Sequence, residues 1–175
     1  MKLLKWLAGV VVLLGLAVVL GGLLISPKFS VVRSALIQAP PDKVYALVAS
    51  PRAWKDWSVW TKRDPLMQIA YFGPESGSGA GWQWKSKSEG DGRMTFTSAE
   101  PGKRIGYELF FPDFGTSTGA FDFAPEAGGT RVAWRLDGDF GSNPVFRWFT
   151  LLADSMTGKD FEGGLANLKV LAEKG

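Results

Sequence analysis

One stretch decides the fold of this chain, and it reads NPVFRWFTLLADSMTGKDFEGGLANLKVLAE over residues 143–173. Asn143 is a favourable N-cap, and Pro144 suits the first helical position, where its missing N–H is no loss. Apolar and small residues then recur at steps of three and four, which predicts one amphipathic helix roughly 40 Å long. The stripe comprises Phe146, Phe149, Ala153, Met156, Asp160, Phe161, Gly164, Leu165, Leu168 and Leu171. Such a helix needs a sheet to cover its stripe, although Gly158 is a point where it is expected to bend or restart.

The residues before this helix supply that sheet. Ser30–Gln38 alternates and is rich in Val and Ile, which predicts a first strand, and a short helix begins at Pro40-Pro41-Asp42 and runs through Ala49. Turn signals then recur throughout the chain, and the Gly-rich run at residues 73–81 is read as a hairpin turn because nothing after it completes a phosphate-binding loop. Six further strands are predicted at residues 67–72, 82–85, 93–99, 104–111, 116–123 and 130–136. The pattern indicates one antiparallel meander followed by a long helix.

Composition narrows the possible functions. The chain has 175 residues with no cysteine and no histidine, which removes thiolate nucleophiles, the usual neutral-pH acid/base and the commonest metal ligands. Leaving Lys2 and Lys5 out of the 20 basic residues leaves 18, against 17 acidic residues, so the body of the chain is nearly neutral. Nucleic acid is therefore an improbable partner by charge. No metal, no cofactor and no catalytic constellation are predicted.

The N-terminal segment has the character of a membrane anchor. Leu7–Ile25 contains 19 residues without a charge, which at helical rise reaches roughly the thickness of a hydrocarbon core. A cleaved signal peptide is the alternative, but the sequence after Leu24 is a poor cleavage site. Lys2 and Lys5 favour an N-in orientation with the rest of the chain outside the cytoplasm. We predict an anchor over residues 1–27 and one folded domain over residues 28–175.

The order of strand, two short helices, six strands and long helix resembles the helix-grip fold of the START / Bet v1-like (SRPBCC) superfamily, including its polyketide cyclase/dehydrase and lipid-transport branch. The residues that carry the resemblance are RSALIQAPPDKVY at 33–45, WKDWSVW at 54–60, Asp64-Pro65, YFGP at 71–74, GTRVAW at 129–134 and FEGGLANLK at 161–169. The resemblance implies an α+β fold in which a curved antiparallel sheet wraps the C-terminal helix and leaves a cavity between them. It does not imply one activity, because one fold hosts many functions.

Candidate ligand-binding residues follow from that cavity. Alternation places one set of side chains on the strand face toward the helix, and small residues on the helix opposite large rings leave room beside it. Plain core packing is the alternative for each aromatic residue. The candidates are Trp57, Trp60, Trp82, Trp84, Met94, Phe96, Tyr107, Leu109, Phe121, Phe123, Trp134, Phe149, Met156 and Asp160.

Tryptophans 54, 57 and 60 form the most distinctive local cluster, at a three-residue spacing that one or two helical turns would bring to one side. They are interpreted either as a lid over the cavity or wedge at a bilayer interface, or as residues that pin the short helices to the sheet. The second interpretation is favoured for Trp57.

Three polar residues are candidates for specific roles. Asp160 lies beside the apolar stripe, where it would either contact a ligand or stabilise a helix that restarts after Gly158. Tyr107 is a second candidate for orienting a ligand, and Arg33 is expected on a solvated face rather than against a carboxylate ligand.

The favoured function is a membrane-anchored module that binds a hydrophobic small molecule or lipid. A polyketide cyclase-like enzyme and a protein-binding module with a collapsed cavity are the alternatives.

Overall fold

The computed structural model describes residues 2–174. Its helices and strands follow one another in the predicted order. Two short 3₁₀ turns, Pro51–Ala53 and Phe146–Phe149, each precede a helix. The elements are α1 (Lys2–Leu24), β1 (Lys28–Ile37), α2 (Pro41–Ala49), α3 (Trp54–Trp57), α4 (Val59–Arg63), β2 (Gln68–Phe72), β3 (Gly81–Lys85), β4 (Gly92–Glu100), β5 (Arg104–Phe111), β6 (Gly115–Glu126), β7 (Gly129–Asp139) and α5 (Thr150–Glu173).

The seven strands form one antiparallel sheet in the order β1-β7-β6-β5-β4-β3-β2. Consecutive strands from β2 to β7 pair with each other as hairpins. Strand β1 forms one edge of the sheet and pairs with β7 along its whole length, from Lys28 opposite Asp139 to Ile37 opposite Thr130. A register shift between Phe96 and Ser98 lets β4 bend, since a bulged strand twists more strongly than a regular one. The predicted α+β helix-grip architecture is confirmed.

Helix α5 lies on the concave face of this sheet. Its buried residues include Phe161, Leu165 and Leu168, each at most 2% exposed, and they recur at the helical period that the sequence predicted. Phe161 stacks on Trp134 of β7 with ring centroids 3.9 Å apart. The core therefore sits between the C-terminal half of α5 and the middle of the sheet.

The start of α5 differs from the prediction. The α-helix begins at Thr150 rather than at Asn143, and a 3₁₀ turn covers Phe146–Phe149. Asn143 does not cap either helix: its side-chain oxygen accepts from the Val145 backbone N–H at 2.9 Å in a turn before the 3₁₀ segment, whose N-terminus has no side-chain cap. The helix neither breaks nor restarts at Gly158, which lies inside a continuous run of 24 residues. A Cβ at Gly158 would overlap the Arg33 guanidinium, so this glycine leaves room for the Arg33 side chain against α5.

Helix α1 is long and apolar enough to cross a membrane. Its residues from Leu3 to Leu20 are exposed, so it is not a core helix of the domain. Near its C-terminal end it contacts the 3₁₀ turn before α5.

Candidate ligand-binding groove

A groove separates the N-terminal half of α5 from strands β3 to β5. Three hollows of about 100, 370 and 630 Å³ compose it. Glu89, Leu109 and Phe111 line all three of them, so the hollows adjoin one another at these residues. We call this space the groove.

The groove has three regions with different walls. The smallest hollow lies under α3 and α4, against Trp54, Trp82 and Met94. The second opens toward the loop after β5 and is bounded by aromatic rings, of which Phe29 and Phe140 are 5.1 Å apart. The third is the most open to solvent and runs along α5 past Met156 and Asp160. Apart from a few polar groups, these walls are suited to an apolar molecule.

Most of the predicted site residues line this groove. The side-chain period of a strand is two, so alternate residues of β3, β4 and β5 share one face, and these residues line the groove. The predicted residues that line the groove are Trp60, Trp82, Trp84, Met94, Tyr107, Leu109, Trp134, Phe149, Met156 and Asp160.

Four predicted residues belong to the core instead. Trp57, Phe96 and Phe121 have no exposed surface, Phe123 is 4% exposed, and none of the four lines the groove. The three phenylalanines pack under α2 and α3, where Tyr45 covers Phe123 with ring centroids 5.5 Å apart. Trp57 belongs to α3 itself and fills part of that space, with its ring centroid 6.2 Å from that of Phe121.

The tryptophans of α3 fix the short helices in place. Trp54 and Trp57 have ring centroids 4.4 Å apart and are both buried. Their indole N–H groups donate to the Val48 and Leu47 carbonyl oxygens of α2, at 2.8 and 3.2 Å. Trp57 thus pins α3 to the domain, the plainer of the two predicted interpretations, and neither ring is free to act as a lid or wedge.

Tyr107 has a structural partner rather than a free hydroxyl. Its O–H donates to the Arg135 carbonyl oxygen at 2.9 Å and accepts from the Trp134 indole N–H at 2.9 Å. Burial raises the pKa of Tyr107 above its usual value because the phenolate would lose its hydration. The hydroxyl therefore has its single hydrogen donated within the protein and cannot donate it to a ligand at the same time.

A polar cluster sits where the three hollows meet. Both Asp160 oxygens accept from the Arg63 guanidinium, at 2.6 and 2.9 Å, and one of them also accepts from the Trp60 indole N–H at 3.0 Å. Arg63 also donates to Glu89 at 2.8 and 3.1 Å. The two carboxylates raise the pKa of Arg63 further, so it remains a cation. Of the two roles considered for Asp160, the structure places this residue beside the groove and not at the start of a helix.

Arg63 and Glu89 were not among the predicted site residues. Glu89 lies in the turn between β3 and β4, and Arg63 ends α4, so the sequence placed both on ordinary solvent-exposed elements. One signal was present: Trp60 and Arg63 are three residues apart on a helix and so share a face. Their common partner, Asp160, is about a hundred residues away along the chain.

Arg33 is held by α5 and is not free in solvent as expected. Its guanidinium pairs with Asp154 at 2.8 Å and with Glu162 at 2.6 Å, and its side chain is 25% exposed. These hydrogen bonds lower the pKa of Asp154. The contact ties β1 to α5 on the side of the helix away from the groove residues, so Arg33 is not positioned to meet a ligand there.

The groove offers an apolar wall with few titratable groups. Its titratable groups are the paired Arg63, Glu89 and Asp160 together with a few peripheral charges. Within residues 2–174, no cluster of three acidic side chains is arranged to hold a metal ion. An apolar space with a charged group at one point suits a mainly hydrophobic molecule that carries one polar end.

Solved structures share this fold. A protein of Chromobacterium violaceum superposes with a TM-score of 0.60 at 17% identity, covering 83% of this chain and 98% of that one. A Staphylococcus aureus protein of unknown function gives a TM-score of 0.63 at 12% identity, covering 83% and 94%. The di-domain ARO/CYC BexL from the BE-7585A biosynthetic pathway gives 0.59 at 20% identity, covering 85% of this chain and 51% of that one. At these identities the similarity establishes the fold alone.

Sequence comparison identifies the family. Among curated proteins, no sequence matches this chain. The family model for polyketide cyclase / dehydrase and lipid transport matches residues 28–173, which is nearly everything after α1. The match covers the sheet, the groove and α5 together. This chain belongs to the polyketide cyclase / dehydrase and lipid transport family.

Proposed function

We propose that this protein binds a hydrophobic small molecule or lipid in the groove while α1 anchors it to a membrane. The observation that carries the proposal is that three adjoining hollows share Glu89, Leu109 and Phe111 in their walls. Burial of apolar surface against these walls is the driving force, at about 25 cal/mol per Å². The cluster of Arg63, Glu89 and Asp160 supplies a polar region that a ligand meets.

The anchoring part of the proposal depends on α1. Leu3–Leu24 is exposed along nearly its whole length, and an exposed helix of this composition is unfavourable in water. A bilayer provides the missing apolar surroundings. The N-in orientation, argued from Lys2 and Lys5, remains part of this proposal. Anchoring would keep the groove next to the phase in which a hydrophobic ligand is concentrated.

Leu109→Trp tests ligand binding directly, because Leu109 borders all three hollows and a larger ring fills their meeting point. The matched control is Phe110→Trp, on the next residue of β5, which is 43% exposed on the opposite face of the sheet. Native mass spectrometry of the full chain, released from mild detergent with oleic acid as the probe, should show an adduct for the wild type and the control. The adduct should be lost in Leu109→Trp.

Two results would contradict this function. No adduct on the wild type, or equal adducts on both tryptophan variants, would show that the groove is not the binding site. Thermal unfolding followed by circular dichroism checks that Leu109→Trp is folded. Met156→Trp, which narrows two of the hollows from the helix side, provides a second variant if it is not.

A cyclase-like activity is the second candidate, and the observation that favours it is the position of Asp160 on the groove wall. Its carboxylate is already engaged by Arg63 and Trp60, which makes it better suited to fixing a polar group of a ligand than to acting alone. If the protein is such an enzyme, Asp160→Asn should abolish turnover of a polyketide-like substrate while the fold stays intact. Retained turnover in that variant would exclude the role for Asp160.

A further inference from the structure

Helix α1 and the segment before α5 are packed together through two glycines. Gly22 is buried and Gly21 is half-buried, whereas the preceding residues of α1 are exposed. A Cβ on Gly22 would overlap the Pro144 carbonyl group, and one on Gly21 would lie 2.7 Å from Cζ2 of Trp148. Larger residues at these positions would force the helix away. The glycines therefore allow a close approach between α1 and the domain.

Hydrogen bonds fix the same contact. The Trp148 indole N–H donates to the Val18 carbonyl oxygen at 3.0 Å, and the Arg147 guanidinium donates to the Leu23 carbonyl oxygen at 3.4 Å. Val18 lies seven residues before Ile25, the end of the apolar stretch, which corresponds to roughly 10 Å along a helix. Trp148 thus runs alongside the last two turns of α1. With Leu7–Ile25 in the hydrocarbon core, its indole lies below the level at which α1 leaves that core.

The segment that meets α1 is itself apolar and uncovered. Residues 144–153 read PVFRWFTLLA, with Arg147 as the one charged residue. Outside α1, twelve large hydrophobic side chains are exposed among the described residues, and seven of them lie within residues 145–156. Leu151 is 63% exposed and Leu152 is 50% exposed. A concentrated apolar patch of this kind normally marks an interaction surface.

We propose that residues 144–152 insert into the membrane interface beside α1 and make a second bilayer contact that sets the orientation of the domain. The proposal rests on the anchoring role proposed for α1 and adds to it. The occupant of the apolar patch is the boundary between lipid headgroups and acyl chains, where tryptophan is favoured because its ring is apolar and its N–H is polar. Residues 144–152 pack beside α1 and reach the same depth in the bilayer. This continuity favours the bilayer over a protein partner as the occupant of the apolar patch.

Single-cysteine labelling tests this placement cleanly, because the chain contains no cysteine of its own. Leu13→Cys reports on the middle of α1, and Leu151→Cys reports on the proposed interfacial segment. Val170→Cys is the matched control, because Val170 lies on α5 like Leu151 and its side chain is 55% exposed. Each full-length variant is labelled with an environment-sensitive nitrobenzoxadiazole dye in vesicles of phosphatidylcholine and phosphatidylglycerol. The labels at positions 13 and 151 should show blue-shifted emission that is severalfold stronger than the emission of the label at position 170.

The outcomes separate the anchor from the second contact. A lipid-like signal at position 13 with a water-like signal at position 151 would overturn this inference and leave the anchor standing. Water-like signals at both positions would overturn both proposals. Lipid-like signals at positions 13 and 151, with position 170 in water, support both.

A glycine pair tests the packing that carries the inference. Gly22→Val should push the segment away from α1 and shift the label at position 151 toward its emission in water. Gly15→Val is the matched control, because nothing lies within 4 Å of a Cβ at Gly15. The label at position 13 should remain in lipid in both variants. An unchanged position 151 signal in Gly22→Val would show that α1 does not hold the segment at the bilayer.

Discussion

The two halves of α5 meet the same sheet in opposite ways. From Phe161 to Ala172 the helix packs tightly, with Leu165 and Leu168 at most 2% exposed. From Thr150 to Asp160 the groove separates the helix from the sheet. Met156 in this half is 64% exposed although it belongs to the same predicted stripe. An amphipathic stripe on a helix thus does not by itself produce a core.

The difference lies in what faces each half. The C-terminal half meets Trp134, which stacks on Phe161 with the planes only 7° apart, and Gly164 lets Trp134 and Trp57 come close. The N-terminal half is tied to β1 by the ion pair between Arg33 and Asp154, outside the groove, and the same guanidinium also pairs with Glu162 at the start of the other half. Apolar contact holds one half, while polar contacts at the edge contribute to holding the other. Exposed ion pairs are worth little individually, so the open half should be the less stable one.

The largest expected contrast is between Phe161→Ala and Met156→Ala. Removing the buried ring should cost about 3–5 kcal/mol, because both the transfer energy and the resulting cavity count against the folded state. Met156→Ala should change the free energy of unfolding by no more than about 0.5 kcal/mol, as for most exposed positions. Urea unfolding of the full chain in mild detergent, followed by tryptophan fluorescence, measures both. Similar losses in the two variants would break the contrast between the halves.

Gly164→Ala should sharpen the description of the packed half. Its new Cβ would lie 2.8 Å from Cζ3 of Trp134, a ring that is buried and unable to move aside. Overpacking of this kind lowers the free energy of unfolding by about 1–3 kcal/mol. Replacing a helical glycine with alanine raises it by about 1 kcal/mol, so the overpacking is expected to dominate.

The neighbouring Gly163→Ala is the control for this helix. Its nearest contact is 2.9 Å from Cγ1 of Val59, a partly exposed side chain that can shift. If Gly164→Ala were as stable as Gly163→Ala in the same urea experiment, the close fit against Trp134 would be refuted.

The border between the halves is expected to show a smaller effect. Asp160→Asn removes the charge that Arg63 pairs with, and the two side chains are 20% and 46% exposed. Exposed pairs contribute about 0.2–1 kcal/mol, so the coupling between these residues should fall in that range. A double-mutant cycle with Asp160→Asn and Arg63→Gln measures it. A coupling as large as the Phe161→Ala loss would mean that the polar cluster is part of the core.

The smallest effect should come from acidification of the open half. The Arg33 hydrogen bonds lower the pKa of Asp154, so the pair contributes stability above the unfolded-state pKa and loses it as pH falls through the folded-state pKa. Unfolding temperatures of the wild type and Asp154→Asn should therefore differ slightly at neutral pH and converge in acid. A difference that grows as the pH falls would contradict this assignment. Asp154 is 64% exposed, which keeps the effect small.

Much of the fold was predictable because its signals are local. Alternation in Arg104–Phe111 identified both the strand and the face that Tyr107 and Leu109 occupy, and the turns around it set the order of the meander. The stripe from Phe161 to Leu168 likewise identified the packed half of α5. Local periodicity was less informative at Asn143–Phe149, where contact with α1 accompanies a 3₁₀ turn instead of a regular helix.

By itself, the sequence determined the order of the elements, which side chains of each strand share a face, and the apolar character of α1. These properties depend on which residues are neighbours along the chain. Only the tertiary structure decided that Phe121 is core while Leu109 lines the groove, that Glu89 and Arg63 meet Asp160, and that Trp148 packs on α1. Each of these depends on residues far apart in sequence, whose approach is set by how α2, α3 and α5 share one sheet face.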